Sequence, residues 1–421
     1  MMFSKTVLDN GVRILSERIE HLKSVSIGIW VNTGSRDELT QENGISHFIE
    51  HMIFKGTRNR SSFQIAKELD AIGGLSNAFT GKENTCFHTR VLGRHFGIAA
   101  DILSDIFLNS KFDPKDVERE RQVVLQEISM VEDCPDENIQ EIFSRVFWTG
   151  HPIGMSILGT GESVSAFSKQ TILDYINRYY LPERIIIAAA GDVNHDEMVS
   201  HFESTFGFME KGRWNPERVA PASNSDIEVS YKPLEQVHIC LGGEAPSQRS
   251  EKRYSCAVLN TIFGGNMSSR LFQEIRERQG LAYNVCSFMS SYIDAGLLGV
   301  YAATDKENVN RLLESIRREI EKICGSDLSD SDLDAAKEHI AGSIYLSAES
   351  ADNRMMRMTK NEFIFGRYVP YEEVVCKLKE VSKNDVIEVA REIFRQDGLA
   401  LATLGPMKEE GLDKNSFFTN Q

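Results

Sequence analysis

The sequence predicts an α+β fold of two homologous halves, each a mainly antiparallel sheet packed with helices, enclosing a cleft between them. Three observations carry this expectation. The chain has 421 residues, enough for two domains of common size. It also repeats itself. Phe167-Ser168-Lys169-Gln170-Thr171-Ile172 parallels Val381-Ser382-Lys383-Asn384-Asp385-Val386. In both, Ser-Lys opens an amphipathic helix that leads to an apolar strand, at residues 185–191 and 399–405. Ser168 and Ser382 are 214 residues apart, as are Gly191 and Gly405. That ungapped register favours duplication over two generic helix–strand units. Finally, strands such as residues 25–33 alternate with long helices, but several join in hairpin fashion. This favours α+β over a parallel α/β sheet.

The elements follow in order. The N-terminus reads as a strand entering an Asn10-Gly11 turn, then a second strand over residues 12–16. It carries no apolar run of the signal-peptide kind. Ile45, Phe48, Ile49, Met52 and Ile53 follow the spacing of a buried helical stripe. Asn43 or Ser46 suits the start of that helix and Gly56 its exit. Asp113-Pro114 is a good start for a second helix, with Asp as N-cap and Pro at the first helical position. That helix continues through Val117, Val123, Val124, Leu125 and Ile128. Phe112-Asp113-Pro114-Lys115-Asp116-Val117 is echoed 216 residues later by Leu328-Ser329-Asp330-Ser331-Asp332-Leu333. The polar stretch 211–226, with Pro216, Pro221 and Asn224, is the natural linker between halves 1–210 and 227–421.

Bulk properties narrow the function. The net charge of −15 disfavours nucleic acid, which needs a basic surface, and suits a basic peptide or protein. The seven cysteines are odd in number and form no C-x-x-C pair. A disulfide framework or cysteine zinc site is therefore not expected, and a reducing, cytoplasmic compartment is. No stretch is apolar and long enough to span a membrane.

The chemistry is concentrated in His47-Phe48-Ile49-Glu50-His51, an H-x-x-E-H sequence that reverses the order of H-E-x-x-H. The histidines are four apart, so they share a helix face and can bind one metal. Glu50 lies beside them and can act as general base toward an activated water. At about 100° per residue all three fall opposite the apolar stripe. The plain alternative is two solvated histidines, so a third ligand is needed. Glu120 and Glu127 are seven apart on the Asp113-Pro114 helix and share a face, and either can reach the pair. A histidine–histidine–carboxylate set leaves the fourth zinc position open, as catalysis requires. Against this stands the ordinary reading of a glutamate on a charged helix, a solvated side chain.

Taken together, these residues resemble the pitrilysin/insulinase class of zinc peptidases, the inverzincins, over nearly the whole chain. The chain is most similar to the branch of the mitochondrial processing peptidase and its bacterial relatives. The segment His47 to Thr57 and the run Pro114-Lys115-Asp116-Val117-Glu118-Arg119-Glu120 carry the likeness. So do Gly264-Gly265-Asn266-Met267-Ser268-Ser269-Arg270-Leu271-Phe272 and Arg276-Glu277-Arg278-Gln279-Gly280-Leu281-Ala282-Tyr283. The resemblance implies one Zn²⁺ per chain, held by His47, His51 and Glu127, with Glu120 supporting the site from behind. It further implies that Arg276 and Tyr283 reach the active site from the second half. Their chemistry suits holding a substrate carbonyl and stabilising an oxyanion. The ordinary reading is a helix end beside a glycine.

The second half has no H-x-x-E-H, and Ser343 stands where the 216-residue offset would place Glu127. A non-catalytic half closing over the substrate is therefore expected. Gly264-Gly265 reads as a turn, because no phosphate-loop pattern follows. The expected activity is that of a zinc endopeptidase acting on extended peptides, presequence-like segments or unfolded protein. The family adds its substrate as a strand to a sheet edge, which points to Asn77, Ala78 and Phe79. In processing-peptidase relatives two acids beyond the third ligand recognise an arginine; the matching positions are Glu137 and Glu141, whose ordinary reading is a solvated acidic helix start. Relatives of this length pair two chains, so a homodimer is expected. The rival expectation is a non-catalytic scaffold or partner subunit of a processing-peptidase-like complex, and a second is a regulatory metal-binding module.

Overall fold

The structure is a computed structural model that describes residues 2–212, 217–325, 327–408, 410 and 412. Pro216 of the expected linker and the chain beyond Leu412 lie outside the described residues.

Along the first half run β1 (Met2–Val7), β2 (Arg13–Arg18), β3 (Ser24–Val31), α1 (Ile45–Ile53), α2 (Ser62–Ala71), β4 (Leu75–Thr80), β5 (Thr85–Leu92), α3 (Phe96–Asn109) and α4 (Pro114–Asp133). Next come α5 (Pro135–Phe147), α6 (Gly161–Ala166), α7 (Lys169–Tyr179), β6 (Ile185–Gly191) and α8 (His195–Phe206). The second half holds β7 (Ile227–Tyr231), β8 (Val237–Glu244), α9 (Arg253–Phe263), a π-helical segment (Phe272–Arg278), β9 (Asn284–Ser291) and β10 (Gly296–Thr304). It ends with α10 (Val309–Cys324), α11 (Asp330–Ser347), α12 (Ala351–Phe365), α13 (Tyr371–Glu380), α14 (Lys383–Ile393) and β11 (Ala400–Gly405).

The duplication is visible in the sheets. The first has the order β1-β2-β6-β3-β5-β4 and the second β7-β11-β8-β10-β9. Each is antiparallel except for one parallel pair, β2 with β6 and β7 with β11. The paired serines of the repeat do the same local work. Ser168 caps α7 by accepting from Thr171 N–H, and Ser382 caps α14 by accepting from Asp385 N–H. The closing glycines also match. A Cβ on Gly191 would lie 2.2 Å from Ser24 O, and one on Gly405 2.7 Å from Gln236 O.

The compact units cut across the expected boundaries at 210 and 227. The first unit comprises Met1–Met130, Met155–Val219 and Leu346–Val369; the second comprises Val131–Gly154, Ala220–Tyr345 and Pro370–Gln421. The reason is that each sheet has two apolar faces. In the first unit, α1, α3, α7 and α8 cover one face with Phe48, Ile106, Tyr175 and Phe202. The other face, with Leu15, Trp30, Ile186 and Ala188, is covered by Met355 and Met358 of α12. In the second unit the corresponding cover comes from α5, through Ile139, Ile142, Phe143 and Phe147. Each half thus gives a helix to the other half's sheet.

Candidate metal centre

The site is built on α1 in the first unit. Ile45, Phe48, Ile49, Met52 and Ile53 are buried, as the stripe predicts. The helix therefore turns His47, Glu50 and His51 away from the core. It does not begin as expected, however. Neither Asn43 nor Ser46 caps it: the N-cap is Gly44 in a left-handed conformation, without a side-chain cap of its own. The first free N–H groups are met by Glu38, whose Oε2 accepts from Gly44 N at 2.7 Å and whose Oε1 accepts from Ser46 N at 2.8 Å. The exit differs too: Phe54 is the C-cap, and Gly56, at φ 122°, lies two residues beyond it.

Helix α4 brings the carboxylates. Of the two candidates, Glu127 meets both histidines. Its Oε2 lies 3.7 Å from Nε2 of His47 and 3.5 Å from Nε2 of His51. Among the described residues, His47, His51 and Glu127 form the one set of three such side chains grouped closely enough for a metal, with ligand atoms within 4.8 Å of one another. Tetrahedral zinc with bonds of about 2.1 Å would hold its ligand atoms about 3.4 Å apart, close to these separations. The buried Oε2 of Glu127 has no hydrogen-bond partner. A buried carboxylate oxygen without a donor is costly unless a cation completes it, so the residues fit a zinc ion.

The other glutamate of α4 works from behind. Glu120 is buried, and its Oε2 lies 3.3 Å from Nδ1 of His51. Its Oε1 is 2.7 Å from Nζ of Lys55. This arrangement fixes the His51 ring and leaves Nε2 as the lone-pair donor. Burial, and then the neighbouring His51, push the His47 imidazole down to about 4, which keeps it neutral and able to ligate. Glu50 is raised from its ordinary value by burial, opposed by a hydrogen bond from Thr80 and by His51. Thr80 Oγ1 donates to Glu50 Oε2 at 2.6 Å. A base whose affinity for protons is raised above that of a free carboxylate is better matched to taking a proton from water.

The remaining expected residues are placed as follows. Asn77, Ala78 and Phe79 lie on β4, an edge strand of the first sheet, and Asn77 and Phe79 are exposed. Glu137 and Glu141 lie on α5, so they belong to the second unit and not, as the linear boundary had it, with the metal ligands. Arg276 and Tyr283 are also in the second unit. There the Arg276 guanidinium sits 4.7 Å from the Phe272 ring centre and 4.5 Å from that of Tyr283, which is 79% exposed. This is a cation held between two aromatic faces. Sequence reasoning did not find Glu38, Lys55 or Thr80. Lys55 is four residues from His51, a readable signal; Glu38 and Thr80 carry none.

Comparison with known proteins gives the family and the fold. Residues 13–161 match the insulinase family of peptidases, M16, and residues 166–340 match the peptidase M16 inactive domain. A Bacillus subtilis protein named an uncharacterized zinc protease is 38% identical over 96% of this chain and 98% of its own length. A Mycobacterium leprae protein of the same description is 36% identical over 96% of this chain and 91% of its own. Among solved structures, a protease from Helicobacter pylori superposes with a TM-score of 0.89 at 19% identity, covering 96% of this chain and 99% of that one. A peptidase M16 inactive domain from Pseudomonas fluorescens gives 0.90 at 17%, covering 97% and 99%. At those identities the two structures establish the fold.

Proposed function

Because the chain belongs to peptidase family M16 and is a zinc metalloprotease, we propose that it is an endopeptidase for extended peptides, with His47, His51 and Glu127 as the zinc ligands. The observation that carries this is the partnerless Oε2 of Glu127 facing two imidazole nitrogens. When bound, the ion supplies Lewis-acid polarisation and an acidified water. Glu50 takes a proton from the attacking water and delivers it to the leaving amine nitrogen. Thr80 holds one oxygen of Glu50 during both transfers, and Glu120 holds His51. Substrate adds to the free edge of β4 through backbone hydrogen bonds, beside Asn77, Ala78 and Phe79. Tyr283 supports the developing oxyanion and Arg276 orients the Tyr283 ring and a substrate carbonyl.

The substrate class we propose is presequence-like or unfolded basic peptide, in keeping with the acidic chain and with Glu137 and Glu141. The assembly is a homodimer in the cytoplasm, the compartment being read from the scattered cysteines. Among the described residues no helix is long and apolar enough to cross a membrane. Against the alternative of a non-catalytic scaffold or partner subunit, the reading is supported by the approach of Glu127 to His47 and His51 and by the contacts of Glu120 with His51 and of Thr80 with Glu50. Zinc content and hydrolysis of a quenched, unstructured peptide test the proposal together. Glu50→Gln is expected to keep zinc and lose cleavage, whereas His51→Ala and Glu127→Ala lose both. Full cleavage by Glu50→Gln would overturn the mechanism.

A further inference from the structure

Helix α1 has nine residues. A helix that short does not set its own position in water; its neighbours must. Two of its residues face one carboxylate on α4, so a small axial slip or rotation would separate His47 or His51 from Glu127. The question is what fixes the helix at its N-terminal end, where His47 sits in the first turn.

A helix start leaves N–H groups without partners, and these are ordinarily met by the side chain of the N-cap residue. Here the N-cap is Gly44, at φ 94°. A side chain is excluded at this point, because a Cβ would lie 2.5 Å from Leu158 O. Glu38 supplies the cap from outside the helix. Besides the two N–H bonds, its Oε2 accepts from Asn43 Nδ2 at 3.2 Å. The residue is 3% exposed. Burial pushes its carboxyl up, and the donors from Ser46, Gly44 and Asn43 offset only part of that, leaving it raised to about 7. A buried carboxylate at the positive end of a helix is both a cap and a favourable charge. Ser46 is held a second time, through its Oγ, by Tyr175 OH at 2.8 Å.

We propose that Glu38 is the positioning residue for the metal helix: by capping Gly44 and Ser46 with both carboxylate oxygens, it sets the axial position of α1 at which His47 and His51 converge on Glu127. This rests on the assignment of those three residues as ligands. Glu38 touches neither substrate nor ligand and acts through the α1 backbone. It differs from a general stabilising residue because its loss loosens α1 before it loosens the fold.

The test uses the full chain freed of metal. Zinc affinity is measured by competition with a chromophoric chelator, and amide hydrogen exchange is followed at α1 and, for reference, at α14. Glu38→Gln keeps the shape but offers one acceptor oxygen and turns an amide donor toward an N–H. It is expected to weaken zinc by roughly tenfold, on the scale of changes behind a ligand. It should also speed exchange in the first turn of α1 and leave α14 as in the wild type. Tyr175→Phe removes the Ser46 Oγ contact while keeping Glu38 and serves as the control, with zinc affinity within about twofold. Should Glu38→Gln fail to fold, Glu38→Asp, which keeps the charge but cannot span both N–H groups, is expected to show the same selective pattern. Unchanged zinc affinity, or faster exchange in α1 and α14 alike, would overturn the proposal. Glu127→Ala separates the two levels. If it leaves zinc affinity intact, the ligand assignment fails; if it weakens zinc and Glu38→Gln does not, only the role of Glu38 fails.

Discussion

Thr80 Oγ1 lies 2.6 Å from Oε2 of Glu50, so the last residue of the edge strand β4 holds the proposed base of helix α1. The same hydroxyl is 3.5 Å from the carbonyl of Ser46, one turn back on that helix. A peptide pairing with β4 would thus bind the strand that orients the group acting on it. Thr80→Val keeps the β-branched shape and removes the hydroxyl. It is expected to lower kcat roughly ten- to a hundredfold with little change in KM, since orientation and not binding is lost. Thr80→Ser should recover most of the activity. Steady-state kinetics on a quenched peptide checks both, and an unaltered kcat in Thr80→Val would remove the coupling.

The second prediction concerns Glu120, which joins His51 to Lys55. Glu120→Gln leaves the Lys55 ammonium without its carboxylate and weakens the orienting contact to Nδ1 of His51. Zinc affinity is expected to fall about ten- to a hundredfold. Lys55→Met should cost less, because Glu120 keeps its contact with His51. Chelator competition measures both, and equal losses would mean that Lys55 does more than neutralise Glu120.

The ligand helix and the halves were legible in the sequence because both rest on local periodicity. A stripe at i, i+3, i+4 fixes which face of α1 is polar, and the repeated Ser-Lys starts fix where α7 and α14 begin. The capping of α1 was not legible. Glu38 and Ser46 are separated by a short 3-10 helix, Thr40–Glu42, and no spacing rule connects a carboxylate to an N–H eight residues on. The exchange of α5 and α12 was equally hidden. Amphipathicity shows that a helix has a buried face but not which sheet it covers, and Met355 looks the same against either.

That exchange predicts how the chain tolerates cutting. A fragment ending at residue 210 lacks α12 and would expose Leu15, Trp30, Ile186 and Ala188 of the first sheet. It is expected to aggregate, and a peptide spanning 346–369 should improve its solubility. In the full chain, Met355→Ala should destabilise by about 2–5 kcal/mol, the usual cost of such a cavity. Urea unfolding measures the loss, and a change below 1 kcal/mol would show that α12 covers the sheet loosely.

Acid sensitivity should centre in part on Asp105. Burial raises this carboxyl, but Thr57, Arg60, Asn59 and Asn109 donate to it, and the net result is a value below the ordinary one. Its contacts include 2.7 Å from Thr57 Oγ1 and 2.9 Å from Arg60 Nη1. A depressed carboxylate binds fewer protons folded than unfolded. Its contribution is therefore present above the ordinary value of 3.8 and is lost as pH falls through the lower, folded one. Asp105→Asn should be less stable than wild type at pH 7, with the gap closing as pH falls below 3.8. Thermal melts across that range decide it; a gap independent of pH would show that the charge is not what Asp105 contributes.

The final prediction concerns substrate choice. Glu132, Asp133, Asp136, Glu137 and Glu141 cluster at the end of α4 and along α5, and Glu137 is exposed. Exposed carboxylates attract a basic peptide only through a screened field, so the preference should be modest and salt-dependent. Matched peptides with Arg or Glu near the scissile bond should differ in kcat/KM, in favour of Arg, at low ionic strength. Glu137→Gln and Glu141→Gln should each reduce that ratio by up to about fivefold, the scale of an exposed ion pair. Raising salt to about 0.5 M should shrink the ratio in the wild type toward that of the double variant, because the screening length then falls well under 10 Å. If the wild type shows no preference for Arg at low salt, the two carboxylates are a solvated helix face and no more.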